Sequence, residues 1–264
     1  MSANTIPYFE VHAFTQRCFA GNPAGVCLLE GEWLPDAQMQ AIAAENNLAE
    51  TAFVIARPDH FDLRWMTPVL EVDLCGHATL AAAYVLFRHQ NYAGDKVRFQ
   101  SQSGELVVTK SGDRLVLDFP SRPVVEGAVP NELMEALGAR PAQVLKGRDY
   151  FAIFKTQSEV AALRPDLARV AQLDLQGAVV TAPGDDCDFV SRYFAPQVGI
   201  PEDPVTGSTH CTLIPYWSAR LGKKDLFARQ ISPRGGEIYC EDRGERVGIG
   251  GDAVTYAEGK IHLG

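Results

Sequence analysis

The sequence predicts an α+β protein made of two copies of one unit, each a curled, barrel-like mixed sheet wrapped around a central buried helix. Three observations carry this. GELVVTKSGDRLVL from Gly104 to Leu117 and GEIYCEDRGERVGI from Gly236 to Ile249 align without a gap at an offset of 132, half of the 264-residue chain. Upstream, Arg64-Trp65-Met66-Thr67-Pro68 resembles Arg192-Tyr193-Phe194-Ala195-Pro196. After a further 8 and 11 residues, Gly76 and Gly207 each begin a mainly apolar stretch. Matches that recur in one order at half the chain length are the signature of a duplicated unit.

The elements follow in order. Strand-like runs occupy Tyr8–Phe14, Val26–Leu29, Ala52–Ala56 and Phe61–Met66. Asp36–Asn46 reads as an amphipathic surface helix with Asp36 as its N-cap. Residues 77–88 carry three consecutive alanines with Leu80, Val85, Leu86 and Phe87, a helix apolar on nearly every face and therefore enclosed. The Gly104–Leu117 segment alternates, turns at Gly112 and alternates again, as a β-hairpin does. Phe119-Pro120-Ser121-Arg122-Pro123 breaks the pattern, giving halves 1–118 and 128–264 joined by a linker, 119–127. In the second half, Asn131–Leu137 reads as a helix, and Tyr150–Phe154, Ala178–Thr181, Phe189–Phe194 and Ala253–Tyr256 as strands. The helix from Gly207 contains Pro215, which predicts a kink or a fresh start, and Gly222 is placed to cap its end.

Composition narrows the function classes. At 46% apolar and 22% charged residues the chain is an ordinary globular protein. Its 24 basic residues are scattered among 33 acidic ones, for a net charge of -9, which argues against nucleic acid and anionic membranes as partners. No apolar run reaches the roughly 18 residues of a bilayer span. Met1–Glu10 lacks the basic start and apolar block of a signal peptide. The six cysteines, Cys18, Cys27, Cys75, Cys187, Cys211 and Cys240, include no Cys-x-x-Cys pair. A cytoplasmic protein with reduced thiols and no metal is expected.

A helix start offers free N–H groups and partial positive charge, and glycine there admits a ligand close to the backbone. Gly76-His77 and Gly207-Ser208 place that arrangement in both halves. If the two starts face one cleft, they suit a small carboxylate; no phosphate-binding Walker or dinucleotide fingerprint is present. Two acids stand out for proton transfer. Glu50 is flanked by small and apolar residues at a strand start, and Asp203 precedes the second helix start. A carboxyl group shielded from water exchanges protons nearer neutrality. Plainer readings stand beside these: a surface acid for Glu50, a helix-cap histidine for His77, a turn ahead of Pro204 for Asp203, an N-cap for Ser208, a turn before Pro23 for Asn22.

Asn22-Pro23-Ala24-Gly25, Asn47-Leu48-Ala49-Glu50-Thr51-Ala52, Cys75-Gly76-His77-Ala78-Thr79, Asp203-Pro204-Val205-Thr206-Gly207-Ser208 and Gly248-Ile249-Gly250-Gly251 together resemble the PhzF-like phenazine-biosynthesis family, from Phe14 to about Ala253. The resemblance implies the diaminopimelate epimerase fold, two similar domains with the active site between them. It implies Glu50 as general acid/base. His77, Asp203 and Ser208 would line the cleft, Gly76 and Gly207 would present backbone N–H groups to a substrate carboxylate, and Asn22 would contact the ligand. The implied reaction is a cofactor-independent isomerisation of a small carboxylate by proton shuttling, in a homodimer. One departure stands out. The related epimerases use two facing cysteines; Cys75 matches the first, but Thr206 stands at the second, and Cys211 is five residues too far on. A thiol-dependent epimerase using Cys75 and a non-catalytic binding or scaffold protein are the alternatives.

Overall fold

Alternation of buried and exposed side chains, broken by glycine turns, sets the strands of this protein. The computed structural model describes residues 5–127 and 130–263; positions 128 and 129, where the second half is expected to begin, lie outside the described residues, as do 1–4 and 264. Two compact units result, one comprising residues 1–118 with 250–264, the other 119–249.

The first unit runs β1 (Thr5–Ala13), β2 (Asn22–Leu29), α1 (Asp36–Asn46), β3 (Glu50–Ala56), β4 (Phe61–Met66), β5 (Glu71–Val72), α2 (Gly76–Arg88), β6 (Lys96–Ser101), β7 (Gly104–Ser111) and β8 (Arg114–Pro120). The sheet is mixed. β1 lies antiparallel to β2, β2 parallel to β3, and β3 antiparallel to β4. β4 runs antiparallel to β5 and parallel to β6, and the expected β7–β8 hairpin follows. α2 is buried from Gly76 through Ala83 and again at Val85 and Leu86, the enclosure its all-round apolar sequence predicts. α1 covers the other side, where Met39, Ile42 and Ala43 join Phe53, Ile55 and Met66 in one apolar cluster. Its N-cap is Pro35 rather than Asp36, which takes the first helical position, an acid at the positive end of the helix.

The second unit runs β9 (Val125–Gly127), α3 (Asn131–Leu137), β10 (Gln143–Lys146), β11 (Tyr150–Ile153), α4 (Gln157–Ala162), α5 (Leu167–Val170), β12 (Ala178–Pro183), β13 (Phe189–Ala195), β14 (Ile200–Asp203), α6 (Gly207–Leu221), β15 (Asp225–Gln230), β16 (Gly236–Asp242) and β17 (Arg246–Gly251). Its pairings repeat those of the first unit: β10–β11 antiparallel, β11–β12 parallel, β12–β13 antiparallel, β13–β14 antiparallel, β13–β15 parallel, β15–β16 antiparallel. A short 3-10 turn, Pro196–Val198, ending at Gly199 with φ 82°, holds the extra residues between β13 and β14.

Three expectations need correction. The chain's last strand, Ala253–His262, pairs along β1 from Thr5↔His262 to Ala13↔Ala253, so the C-terminal segment completes the first unit rather than the second. The segment 119–127 is not a linker. Val125–Gly127 is a strand paired with β10, and Arg122 is docked on α6. That docking also explains why α6 runs unbroken from Gly207 to Leu221. Pro215 has no N–H for the carbonyl of Cys211 one turn back. The backbone N–H of Arg122 donates to that carbonyl at 2.9 Å, and Thr212 Oγ1 donates to the Arg122 carbonyl at 2.9 Å. Gly222 closes the helix at φ 69°, as expected.

Candidate active site

In the first unit, parallel pairing sets Glu50, the first residue of β3, opposite Ala24, two residues into β2 from Asn22. α2 begins beside them. His77 Nε2 lies 3.2 Å from Glu50 Oε2, while His77 Nδ1 lies 3.2 Å from Asn22 Nδ2 and 3.5 Å from Cys75 Sγ. The group is removed from solvent: Glu50 is 8% exposed, His77 4% and Asn22 0%. Burial pushes His77 down to about 3, outweighing an upward pull from the Pro23 carbonyl. The ring is therefore neutral and carries one proton. With the Asn22 amide donating to Nδ1, that proton sits on Nε2, toward Glu50. With the amide turned over, the ring proton sits on Nδ1 and Nε2 is left as an acceptor facing Glu50. The Nε2 atom is not aligned for a full hydrogen bond. Cys75 takes the N-cap position but makes no capping bond, so its side chain leaves the first N–H groups of α2 uncapped. Glu50, Cys75 and His77 also form a potential cation site, their three ligand atoms all within 4.8 Å of one another.

In the second unit, Asp203 ends β14 and is 6% exposed. Thr206, the N-cap of α6, likewise makes no capping bond; its hydroxyl donates to Asp203 Oδ2. Gly207 is buried at the first helical position and Ser208 is half-buried at the second. The N-cap is thus Thr206, and the expectation of Ser208 as cap does not hold. Gln230, which sequence reasoning passed over, ties the turn together. Its Nε2 donates to the Asp203 carbonyl at 2.7 Å and to Thr206 Oγ1 at 3.1 Å, and its Oε1 accepts from the Thr206 N–H at 2.9 Å. Its signal was alternation: in β15 it shares the inward face of Leu226 and Ala228.

Matching the two units by their strand register separates what is shared from what is not. Arg64 and Arg192 occupy equivalent places, and each holds the glutamate that leads toward its helix. Arg64 Nε donates to Glu71 at 2.7 Å and Nη2 at 2.6 Å; Arg192 Nε and Nη2 donate to Glu202 at 2.8 and 3.0 Å. These clamps give the repeated arginines a role that composition alone could not. Counting back from each arginine's partner, Phe53 and Val180, the position of Glu50 falls on Gly177 in the second unit. A Cβ there would sit 2.5 Å from the Phe194 carbonyl. The second unit has no room for an acid at that place, so the carboxylate at the strand start belongs to the first unit alone.

The family model described as phenazine biosynthesis-like protein matches residues 11–259. An uncharacterized isomerase of Pseudomonas aeruginosa is 51% identical over 97% of this chain and 98% of its own. The chain belongs to the phenazine biosynthesis-like family. A PhzF-family crystal structure from Enterococcus faecalis superposes with a TM-score of 0.96 at 48% identity, covering 98% of this chain and 100% of that one. A hydroxyproline epimerase of Agrobacterium vitis, 11% identical with a TM-score of 0.63 over 99% of this chain and 94% of its own, shares the fold. This phenazine biosynthesis-like protein is an isomerase by class, as its nearly full-length relatives are named. Among its described residues, no helix is long and apolar enough to cross a membrane.

Proposed function

We propose that this protein moves a proton between carbons of a small carboxylate-bearing metabolite, with Glu50 as general acid/base. The observation that carries this is the buried Glu50–His77 contact at the start of α2. A carboxylate at that place can take a proton from a carbon next to an acidifying group and return it to another carbon. His77, neutral and oriented by Asn22, supplies a dipole that adjusts to either protonation state of Glu50. The uncapped N–H groups at Gly76 and Gly207 suit a substrate carboxylate, since helix starts favour anions. In the second unit, Asp203, held by Thr206 and Gln230, and Ser208 are the candidate substrate-handling groups.

General acid/base groups contribute about 10²–10⁴ in rate. Incubating the protein in D₂O with a panel of small unsaturated and α-substituted carboxylates, read by NMR and mass spectrometry, identifies the substrate by deuterium uptake. Glu50→Gln is then expected to lose exchange and turnover by at least about 10²-fold while keeping ligand binding. Turnover within a few-fold of the parent would overturn the assignment. The 3.5 Å contact between Cys75 and His77 favours a second, thiol-based reading. In the same assay, loss of exchange in Cys75→Ala with exchange retained in Glu50→Gln selects it. Thr206, whose hydroxyl is given to Asp203, leaves that reading without a second thiol.

A further inference from the structure

We propose that Glu50, Cys75 and His77 form a binding site for a thiophilic divalent cation of the Zn²⁺ type, and that the bound ion switches the enzyme off. The regulatory half of this rests on the proposed role of Glu50; the site itself does not. The three ligand atoms, one per residue, already lie within 4.8 Å of one another. Tetrahedral zinc, with bonds of about 2.0–2.3 Å, draws its ligands to about 3.5 Å apart. One pair of ligand atoms already stands near that value, His77 Nε2 and Glu50 Oε2 at 3.2 Å; Cys75 Sγ lies 3.5 Å from the other ring nitrogen, Nδ1. Binding through Nε2 therefore requires the Cys75 side chain to rotate toward that nitrogen, within the 4.8 Å that spans the three ligand atoms.

The chemistry of the donor set points to the class of ion. Thiolate, imidazole and carboxylate together suit Zn²⁺ and Co²⁺, whereas Mg²⁺ and Ca²⁺ prefer all-oxygen shells. Three protein ligands leave a fourth position for water, the pattern of open zinc sites. His77 supplies a second, independent indication. Its Nε2 is buried without a hydrogen bond and faces Glu50; with the Asn22 amide turned over, Asn22 Oδ1 accepts from Nδ1–H and frees the Nε2 lone pair, as an outer partner orients a metal-binding imidazole. Coordination would ionise the Cys75 thiol, releasing one proton to solvent, and would occupy the carboxylate lone pair that proton removal needs. Ion and turnover therefore exclude each other. Spacing in the sequence hid this site because only two of its ligands, Cys75 and His77, are neighbours in the chain.

Co²⁺ tests the proposal without reference to substrate. Titrating chelator-treated full-length protein with Co²⁺ should give a saturable spectrum at one equivalent, with a thiolate-to-cobalt charge-transfer band and the intense visible bands of tetrahedral cobalt. Zn²⁺ should displace it. Cys75→Ser should abolish the charge-transfer band and His77→Asn should weaken binding by about 10²-fold or more, with circular dichroism confirming both variants folded. His60→Ala, which removes the exposed histidine beside Asp59 and Asp62, should leave the spectrum intact. Absence of a saturable spectrum, or its persistence in Cys75→Ser, would overturn the site. If Co²⁺ binds as expected but Glu50→Gln keeps full turnover, the assignment of the base fails while the site stands. If Glu50→Gln is inactive and no spectrum forms, the site fails while the assignment stands.

Discussion

Replacing Gln230 by alanine tests how the turn before α6 is held. The side chain is 1% exposed and serves two backbone groups, the Asp203 carbonyl and the Thr206 N–H, besides the Thr206 hydroxyl. Leaving a buried backbone group without its partner costs about 1–3 kcal/mol. Two such groups would cost about 2–6 kcal/mol together, but water entering the space of the deleted amide recovers part of that. A net loss of about 2–4 kcal/mol is expected, read as a lowered urea midpoint. Trp217, on α6 in the same unit, reports on unfolding there by fluorescence. Amide exchange at Thr206 should accelerate together with the loss of stability, since its N–H loses its acceptor. Gln230→Glu sharpens the test. It keeps an acceptor for Thr206 but points a carboxylate at the Asp203 carbonyl. It should be at least as destabilising as alanine at neutral pH and recover on mild acidification. A Gln230→Ala protein within about 0.5 kcal/mol of the parent, the range of a change that touches nothing, with unchanged exchange at Thr206, would refute the reasoning.

Three further outcomes follow from the same geometry. Arg192→Met should cost about 3–5 kcal/mol, because it strands a largely buried Glu202 and the carbonyls of Val160 and Leu163. Arg64→Met should cost less, because Arg64 and its partner Glu71 are more exposed than Arg192 and Glu202, its second partner Asp36 lies in solvent, and no backbone carbonyl is stranded; equal urea midpoints for the two variants would contradict this. His210 is buried and pushed down to about 4 by desolvation, below the value near 6.5 that it has when unfolded. The unfolded chain therefore binds the proton first: the stabilisation is full above about pH 6.5 and declines as pH falls toward 4, by about 3 kcal/mol. Urea titrations across that range should show a shallower acid loss in His210→Phe than in the parent. Gly177→Ala should lose about 1–3 kcal/mol, since its new methyl meets the backbone carbonyl of Phe194 and cannot be relieved by a rotamer change; a neutral midpoint would show that β12 shifts freely.

The legible part of the fold was its local part. Asp36–Asn46, Asn131–Leu137 and Phe61–Met66 are found with the boundaries that periodicity gives, and both hairpins turn at the glycines expected. Other strands run longer than their apolar cores. β3 reaches back to Glu50, and the last strand continues to His262, because ladder pairing extends a strand past the residues whose side chains are apolar. The break at Phe119–Pro123 reads as a linker because prolines and polar residues interrupt the pattern. No local signal tells that the backbone of Arg122 would be needed at the proline gap of a helix some 90 residues away.

Residue order alone determined the duplication, the two buried helices and the two glycine helix starts, because these depend on periodicity, turn chemistry and repetition, all properties of neighbours along the chain. Tertiary structure decided what no neighbour relation encodes. It brought Glu50 against His77 from another element, gave Asp203 its partners Thr206 and Gln230, and handed the last strand to the first unit. It also closed the place equivalent to Glu50 in the second unit, where backbone rather than solvent fills the space beyond Gly177. The physical reason is the same in each case. Proton exchange, burial and close packing act across distances of a few ångströms in space, and only the folded chain determines which residues share those distances.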